Sequence, residues 1–370
     1  MGVSGSGKIR YQQGMPVVDT DVHVAAPSIS ALSPYMSDHW HDYLVESGVS
    51  SLEVNTYPRG CDLSVRPDAR PEDPGLLPGS TLEQVQKQLL EPWNVQTAII
   101  HCDCGIHLLH NEDLVVAMAR ALNDWLADQW LSRDQRLRGS ITICTERPEP
   151  AVAEIERLAG RPEFAQIALP VRSPQPYGKR FYWPIYEAAQ RHDLAVGIYA
   201  GGGTGNPITA VGWPSLYLED YVSFAQAFQC QLLSLVAEGV FVQYPKLRVV
   251  FIESGFTWIP SVMWRLDKNW KGVRREVPWV NRLPSEMIRE HLRVTIQPLD
   301  APAEALDRVF DHLGSDEMLL FSTDYPHWQF DEPADAWPLA LDAVSLDRVL
   351  RENAIATYGL GRRQPRLQGV

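Results

Sequence analysis

Short apolar runs rich in β-branched residues recur along the chain, separated by longer segments whose apolar positions repeat every three to four residues. The runs fall at 16–23, 95–101, 137–144, 164–170, 194–200, 247–253, 292–297 and 318–324. The run RVVFIE is apolar on both faces, which predicts a strand buried on both sides. Helical periodicity fills the gaps at 80–91, 112–131, 149–159, 181–192, 217–239, 257–271, 302–313 and 346–356. Strands alternating with helices imply parallel pairing through crossover connections. Eight of each predict an α/β fold, a (β/α)8 TIM barrel, in which functional groups gather at the C-terminal ends of the strands.

Two stretches interrupt the alternation. Residues 24–79 are rich in Pro, Gly and Asp, and 272–291 contain VPWVNRLPSE. Both exceed ordinary connections, so they are expected as long insertions after strands 1 and 6 that form a lid or a subunit contact. The domain reading is a flexible N-terminal tail over 1–14, one barrel over 15–360 and a C-terminal tail over 361–370.

With a net charge of −13, the chain offers no basic stripe for phosphates or anionic lipid. Nucleic acid and membranes are therefore not expected as partners. The polar opening MGVSGSGKIRYQQG has no apolar core, and no later stretch approaches a membrane span; the expectation is a soluble, cytoplasmic protein. Cys61, Cys102, Cys104, Cys144 and Cys230 are scattered and odd in number, which argues for buried free thiols rather than a disulfide framework. Cys102 and Cys104 beside His101 and His107 could take a soft metal, but no second cysteine pair completes such a site.

Candidate chemistry collects where three apolar runs end: VVDTDVH, VVFIESG and STDYPHW. Strict alternation puts Asp19, Asp21 and His23 on one face of the first strand, with Asp19 deepest. Buried carboxylates without a cation or donors cost several kcal/mol each, so a metal is the economical account of Asp21 and His23. Glu253 ends a buried run, either as a ligand or in an internal salt bridge, and Gly255 permits a sharp exit. Asp324 reads as a ligand or base, and Pro326 turns His327 back toward it as ligand, substrate contact or supporting donor. The run AGGGTGNP lacks the spacing of a dinucleotide or phosphate loop, so its glycines are read as allowing close backbone approach. Trp258, Met263, Trp264, Leu266 and Trp270 form a helical stripe expected to pack in the core or against another subunit. No G-x-S-x-G elbow occurs.

From VVDTDVH to the last helix, these motifs resemble the amidohydrolase-related family. This branch of the amidohydrolase superfamily includes aminocarboxymuconate-semialdehyde and dihydroxybenzoate-type decarboxylases beside hydrolases and hydratases. The resemblance implies metal-site positions at Asp21 and His23, at Tyr199, at Glu253 and at Asp324. Tyr199 departs from the pattern, which has a histidine there, and a phenol ligates poorly near neutrality because it must lose a proton. The donor set Asp21, His23, Glu253, Asp324 and His327 is oxygen-rich and implies one or two divalent ions, Zn, Mn or Fe. Catalytic roles are expected for Asp324, His327 and Glu253. The implied activity is a metal-dependent hydrolase or decarboxylase (carboxy-lyase) acting on a small carboxylate-bearing or cyclic substrate. The alternatives are a non-heme Mn/Fe or di-iron hydroxylase in a two-subunit assembly, and a catalytically degenerate partner subunit. Either a homo-oligomer or a hetero-oligomer with a related subunit is expected. Arg59, Arg172 and His107 could meet a substrate carboxylate, though surface charge is the favoured reading of each.

Overall fold

The computed structural model describes residues 8–49, 52, 57, 63–73, 75–102, 104–202, 207–330 and 333–362. Eight parallel strands pair in sequence order: β1 (Val17–His23), β2 (Val95–His101), β3 (Leu137–Thr142), β4 (Phe164–Pro170), β5 (Ala195–Tyr199), β6 (Val249–Ile252), β7 (Leu292–Thr295) and β8 (Leu319–Leu320). The ring closes through backbone bonds between β1 and the segment after β8. Thr20 N donates to Phe321 O at 3.0 Å and His23 N to Tyr325 O at 2.7 Å. The (β/α)8 TIM barrel expected from the alternation is the fold, and all eight predicted strands lie where their apolar runs do.

Strand β8 is shorter than the run 318–324 that marks it, because beyond Leu320 the chain leaves the β7 ladder and pairs with β1 instead. Inside the barrel, Val18, Ile99, Ala165, Ala195, Val250 and Leu320 form a small apolar cluster, with Tyr358 of the C-terminal helix as its floor. The larger core lies between the strands and the surrounding helices.

Alternation along β1 fails at one point. Pairing with β2 steps from Asp19↔Ala98 to Val22↔Ile100, so β1 carries one extra residue there, a bulge. Val18 faces the barrel interior while Val17 and Val22 face the outer core. Asp19 consequently does not share a face with Asp21 and His23 as expected. Its carboxylate accepts from Thr323 N at 3.1 Å and Thr323 Oγ1 at 2.6 Å, stitching β1 to the end of β8.

The two long connections lie at opposite ends of the barrel. Part of 24–79 returns over the catalytic mouth, where Arg66 N donates to Pro326 O and Trp328 N to Ser64 O. Residues 272–291 follow the helix Ile259–Val273, which descends from β6, and they end in the helix Pro284–His291 leading into β7. His291 Nδ1 bonds Leu247 O, just before β6, so this segment sits at the strand N-termini and is no lid over the site. The helix Asp38–Glu46 was also not expected.

The N-terminal tail expected over 1–14 lies partly outside the described residues. From residue 8 onward it is tied down: Ile9 pairs with Leu341, and Tyr11 is buried against Trp93 and Phe321. Of the C-terminal tail, 363–370 lie outside the described residues. In the tryptophan stripe, Met263 is buried and Trp270 Nε1 bonds Val280 O, but Trp264 is exposed beside His312. Cys102 and Cys144 are buried as expected, whereas Cys230 is exposed and Cys61 lies outside the described residues. Among the described residues, no helix is long and apolar enough to cross a membrane.

Candidate metal centre

Strand ends bring four of the expected side chains together. Asp21 and His23 come from β1 beyond its bulge, Glu253 directly follows β6, and Asp324 lies past β8. His23 Nε2 stands 3.1 Å from Asp21 Oδ1, 3.2 Å from Glu253 Oε1 and 3.2 Å from Asp324 Oδ1. Glu253 and Asp324 both occupy the left-handed backbone region, at φ +60° and +58°, where residues with a Cβ are uncommon. That conformation turns each carboxylate off its strand and inward. Behind Glu253, Gly255 at φ +61° leaves room for the Asp300 carboxylate, which a Cβ would meet at 2.4 Å.

The cluster is buried and electrostatically unbalanced. Both Asp21 oxygens, Glu253 Oε1, Asp324 Oδ1 and His23 Nε2 have no hydrogen bond of ordinary geometry among the described residues. Burial pushes Asp21 up to about 6, partly offset by His23 and reinforced by Asp324. Burial, with Asp324 adding to it, holds Glu253 well above the usual carboxyl range. For His23, burial disfavours the cation, but Glu253 and Asp21 outweigh it and raise the imidazole well above its ordinary value. Asp19 is raised to about 7 by burial, against the Thr323 hydrogen bonds.

These residues fit a divalent ion. Donors about 2.1 Å from a common ion, at tetrahedral to octahedral angles, stand roughly 3.0–3.4 Å apart, and the three contacts to His23 fall within that interval. Three carboxylates around one imidazole, with none of the described Lys or Arg residues in an ion pair with them, are the hard donor set that cations such as manganese select. A second grouping, His23, Asp324 and His327, shares two members with the first. His327 is turned back as expected: its Nδ1 meets Ser64 Oγ at 2.8 Å, and its ring stands edge-on to His23 at 5.0 Å. Tyr199 ends β5 and is buried, with its ring 6.4 Å from that of His107.

A scan of the sequence against family models matches the amidohydrolase model over residues 18–360. The chain belongs to the amidohydrolase family. The expectation of a metal-dependent hydrolase or carboxy-lyase of this superfamily stands with it. Among curated relatives, the gamma-resorcylate decarboxylase of Rhodococcus jostii (strain RHA1) is 26% identical over 326 residues, 80% of this chain and 96% of that one. Among solved structures, the 5-carboxyvanillate decarboxylase of Novosphingobium aromaticivorans DSM 12444, complexed with manganese and 4-hydroxy-3-methoxy-5-nitrobenzoic acid, is 18% identical. It superposes with a TM-score of 0.69, covering 94% of this chain and 97% of that one. The dihydroxybenzoic acid decarboxylase of Polaromonas sp. JS666, with bound manganese and 2-nitroresorcinol, gives 0.65 at 19% identity, covering 94% and 98%.

Several residues near the cluster carry no sequence signal for a site. Gln329 donates to Asp324 Oδ2 and, at 2.8 Å, to the Tyr221 hydroxyl. Tyr221 and Tyr217 stack loosely at 5.4 Å on the helix Tyr217–Ala237, and both phenols are raised by burial and by Glu253 and Asp324. Their i, i+4 spacing on a long helix looks like ordinary packing. His101, read only beside the two cysteines, instead directs Nε2 toward Asp21 Oδ1 at 3.6 Å, while Cys102 Sγ contacts Cys104 Sγ at 3.4 Å. Arg172 pairs with Asp220 at 2.5 Å and lies over the Phe224 ring, so it is committed within the protein. Arg59 lies outside the described residues. Of the glycine run, 203–206 also lie outside them, and Gly202 packs where a Cβ would meet Arg172 O at 2.4 Å.

Proposed function

We propose that this chain is a metal-dependent carboxy-lyase that removes the carboxylate group from a small hydroxylated aromatic acid. The observation that carries the reading is the ring of three carboxylates around His23 Nε2, whose facing oxygens Asp21 Oδ1, Glu253 Oε1 and Asp324 Oδ1 stand 3.1–3.2 Å away with no hydrogen bond among the described residues. Asp21, His23, Glu253 and Asp324 would hold the ion, with His327 at the edge of the set. Bound there, it supplies the positive charge that anchors and polarises an anionic oxygen of the substrate. The curated relatives, gamma-resorcylate decarboxylases, and the decarboxylases among the structural neighbours support this chemistry over hydrolysis, hydroxylation or a degenerate partner subunit.

Breaking the bond from ring carbon to carboxylate leaves its electron pair on the ring carbon, which must then take a proton as carbon dioxide departs. We assign delivery to Asp324. Its Oδ2 is held by Gln329, which leaves Oδ1 facing the cluster. Tyr217 and Tyr221 present aromatic surface beside the carboxylates, suited to a flat ring. His327, braced by Ser64, orients the substrate carboxylate at the mouth.

The test is release of carbon dioxide from a panel of mono- and dihydroxybenzoates by protein loaded with Mn2+. Metal-dependent decarboxylation of at least one member, lost in Asp324→Asn, is the expected result. Product formation that requires oxygen, or hydrolysis of esters and amides without decarboxylation, would overturn the reading.

A further inference from the structure

Beneath the metal centre runs a row of buried polar side chains that the reaction does not use. His101 ends β2, and its Nδ1 lies 2.8 Å from Ser140 Oγ on β3. Ser140 Oγ lies 2.9 Å from Gln166 Nε2 on β4, and Gln166 Oε1 lies 3.2 Å from the hydroxyl of Tyr358 in the C-terminal helix. All four residues are buried. The Gln166 side chain reaches over Gly197 of β5, where a Cβ would come within 2.4 Å of the amide carbon. The barrel interior thus makes room for this row at the expense of a side chain.

Donor and acceptor rules give the row a direction. A glutamine carbonyl only accepts, so the Tyr358 hydroxyl donates to it; the amide nitrogen only donates, so Ser140 Oγ accepts. The Ser140 hydroxyl proton is then aimed at His101 Nδ1. A neutral imidazole that accepts at Nδ1 carries its proton on Nε2, and Nε2 faces Asp21 Oδ1 at 3.6 Å. At that separation the contact is electrostatic steering rather than a formed hydrogen bond.

The geometry points to His101 as a positioning residue: the relay from Tyr358 through Gln166 and Ser140 fixes its tautomer, so that a buried N–H edge orients Asp21 toward the metal. This rests on the metal-centre reading only for Asp21 being a ligand. Outer partners of metal ligands commonly change affinity by roughly 10–100-fold.

The experiment measures Mn2+ affinity of the full chain by electron paramagnetic resonance of the free ion. His101→Ala is expected to weaken binding by about 10–100-fold. His101→Gln, whose amide nitrogen reaches the position of imidazole Nε2, is expected to restore most of it, and the shorter His101→Asn is not. Tyr358→Phe removes the hydroxyl at the far end of the row and should weaken binding in the same direction by a smaller factor; it carries the test if His101→Ala fails to fold. Unchanged affinity in His101→Ala and Tyr358→Phe, or equal rescue by Gln and Asn, overturns the proposal. If the wild-type chain binds no Mn2+, the metal-centre reading falls, and the relay is judged by 15N-histidine NMR. An Nε2–H tautomer at His101 upholds the relay, and an Nδ1–H tautomer refutes it.

Discussion

Glu253 and Asp324 show how much of this site is decided one residue at a time. Each adopts a left-handed backbone at the point where it must aim a carboxylate inward, a conformation that costs of order 1–3 kcal/mol for a residue with a side chain. Function explains its persistence better than stability does. Glu253→Gly should therefore raise the melting temperature of the metal-free protein by a few degrees, from relieved strain and the loss of one buried carboxylate, while lowering metal affinity; differential scanning fluorimetry with and without Mn2+ reads both. The remaining ligands make a sharper comparison. Elemental analysis after dialysis should find metal well below stoichiometric in His23→Ala and Asp324→Asn but unchanged in Tyr199→Phe, because Tyr199 packs beside His107 and a phenol competes poorly for an ion near neutral pH. Loss of metal in Tyr199→Phe would restore the family's β5 position to the ligand set.

Among the elements, the strands were the most legible, since runs such as LAVGIYA and LRVVFIE are apolar on both faces and end in turn or ligand residues. That same uniformity hid which face of each strand looks inward. In β1, alternation grouped Asp19 with Asp21, and one inserted residue separates them; a bulge alters spacing without altering composition. In β2, His101 follows a run buried on both sides, so nothing in VQTAIIH distinguishes the interior from the helix layer. The helices Asp38–Glu46 and Pro284–His291 were missed because they are short and set among prolines and glycines. The interior of the barrel offers its own prediction. Gly197→Ala on β5 drives a methyl group against Gln166, and overpacking of this kind costs typically 1–3 kcal/mol. A lower melting temperature together with weaker Mn2+ binding is expected. Weaker stability with unaltered binding would show that the row beneath the centre is only packing.

The molecule as a whole gathers three carboxylates and two imidazoles into a space that water scarcely reaches, and its stability should report that crowding through pH. Asp21 at about 6, Asp19 at about 7 and Glu253 well above its usual range all hold protons in the folded state that the unfolded chain has released. His23, also raised, does the same above its ordinary value near 6.5. Wherever the folded state binds more protons, unfolding becomes easier as pH rises, by about 1.4 kcal/mol per pH unit for each proton retained. His101 works in the opposite sense: burial, with His23 adding to it, lowers it to about 3, so between that value and about 6.5 the unfolded chain binds the extra proton and stability gains with pH. The two trends oppose each other in acid. Above pH 6.5 only the downward one remains, carried by Asp19 up to about 7 and by His23, which is raised above its ordinary value. A divalent ion supplies the positive charge that the retained protons otherwise provide, so it competes with them and binds better as they leave. In chelator, the melting temperature should fall steadily from pH 6.5 to 8, and the increment on adding Mn2+ should grow over the same interval. A metal-free protein whose melting temperature is flat or rising there would mean that these carboxylates are not crowded as their geometry requires.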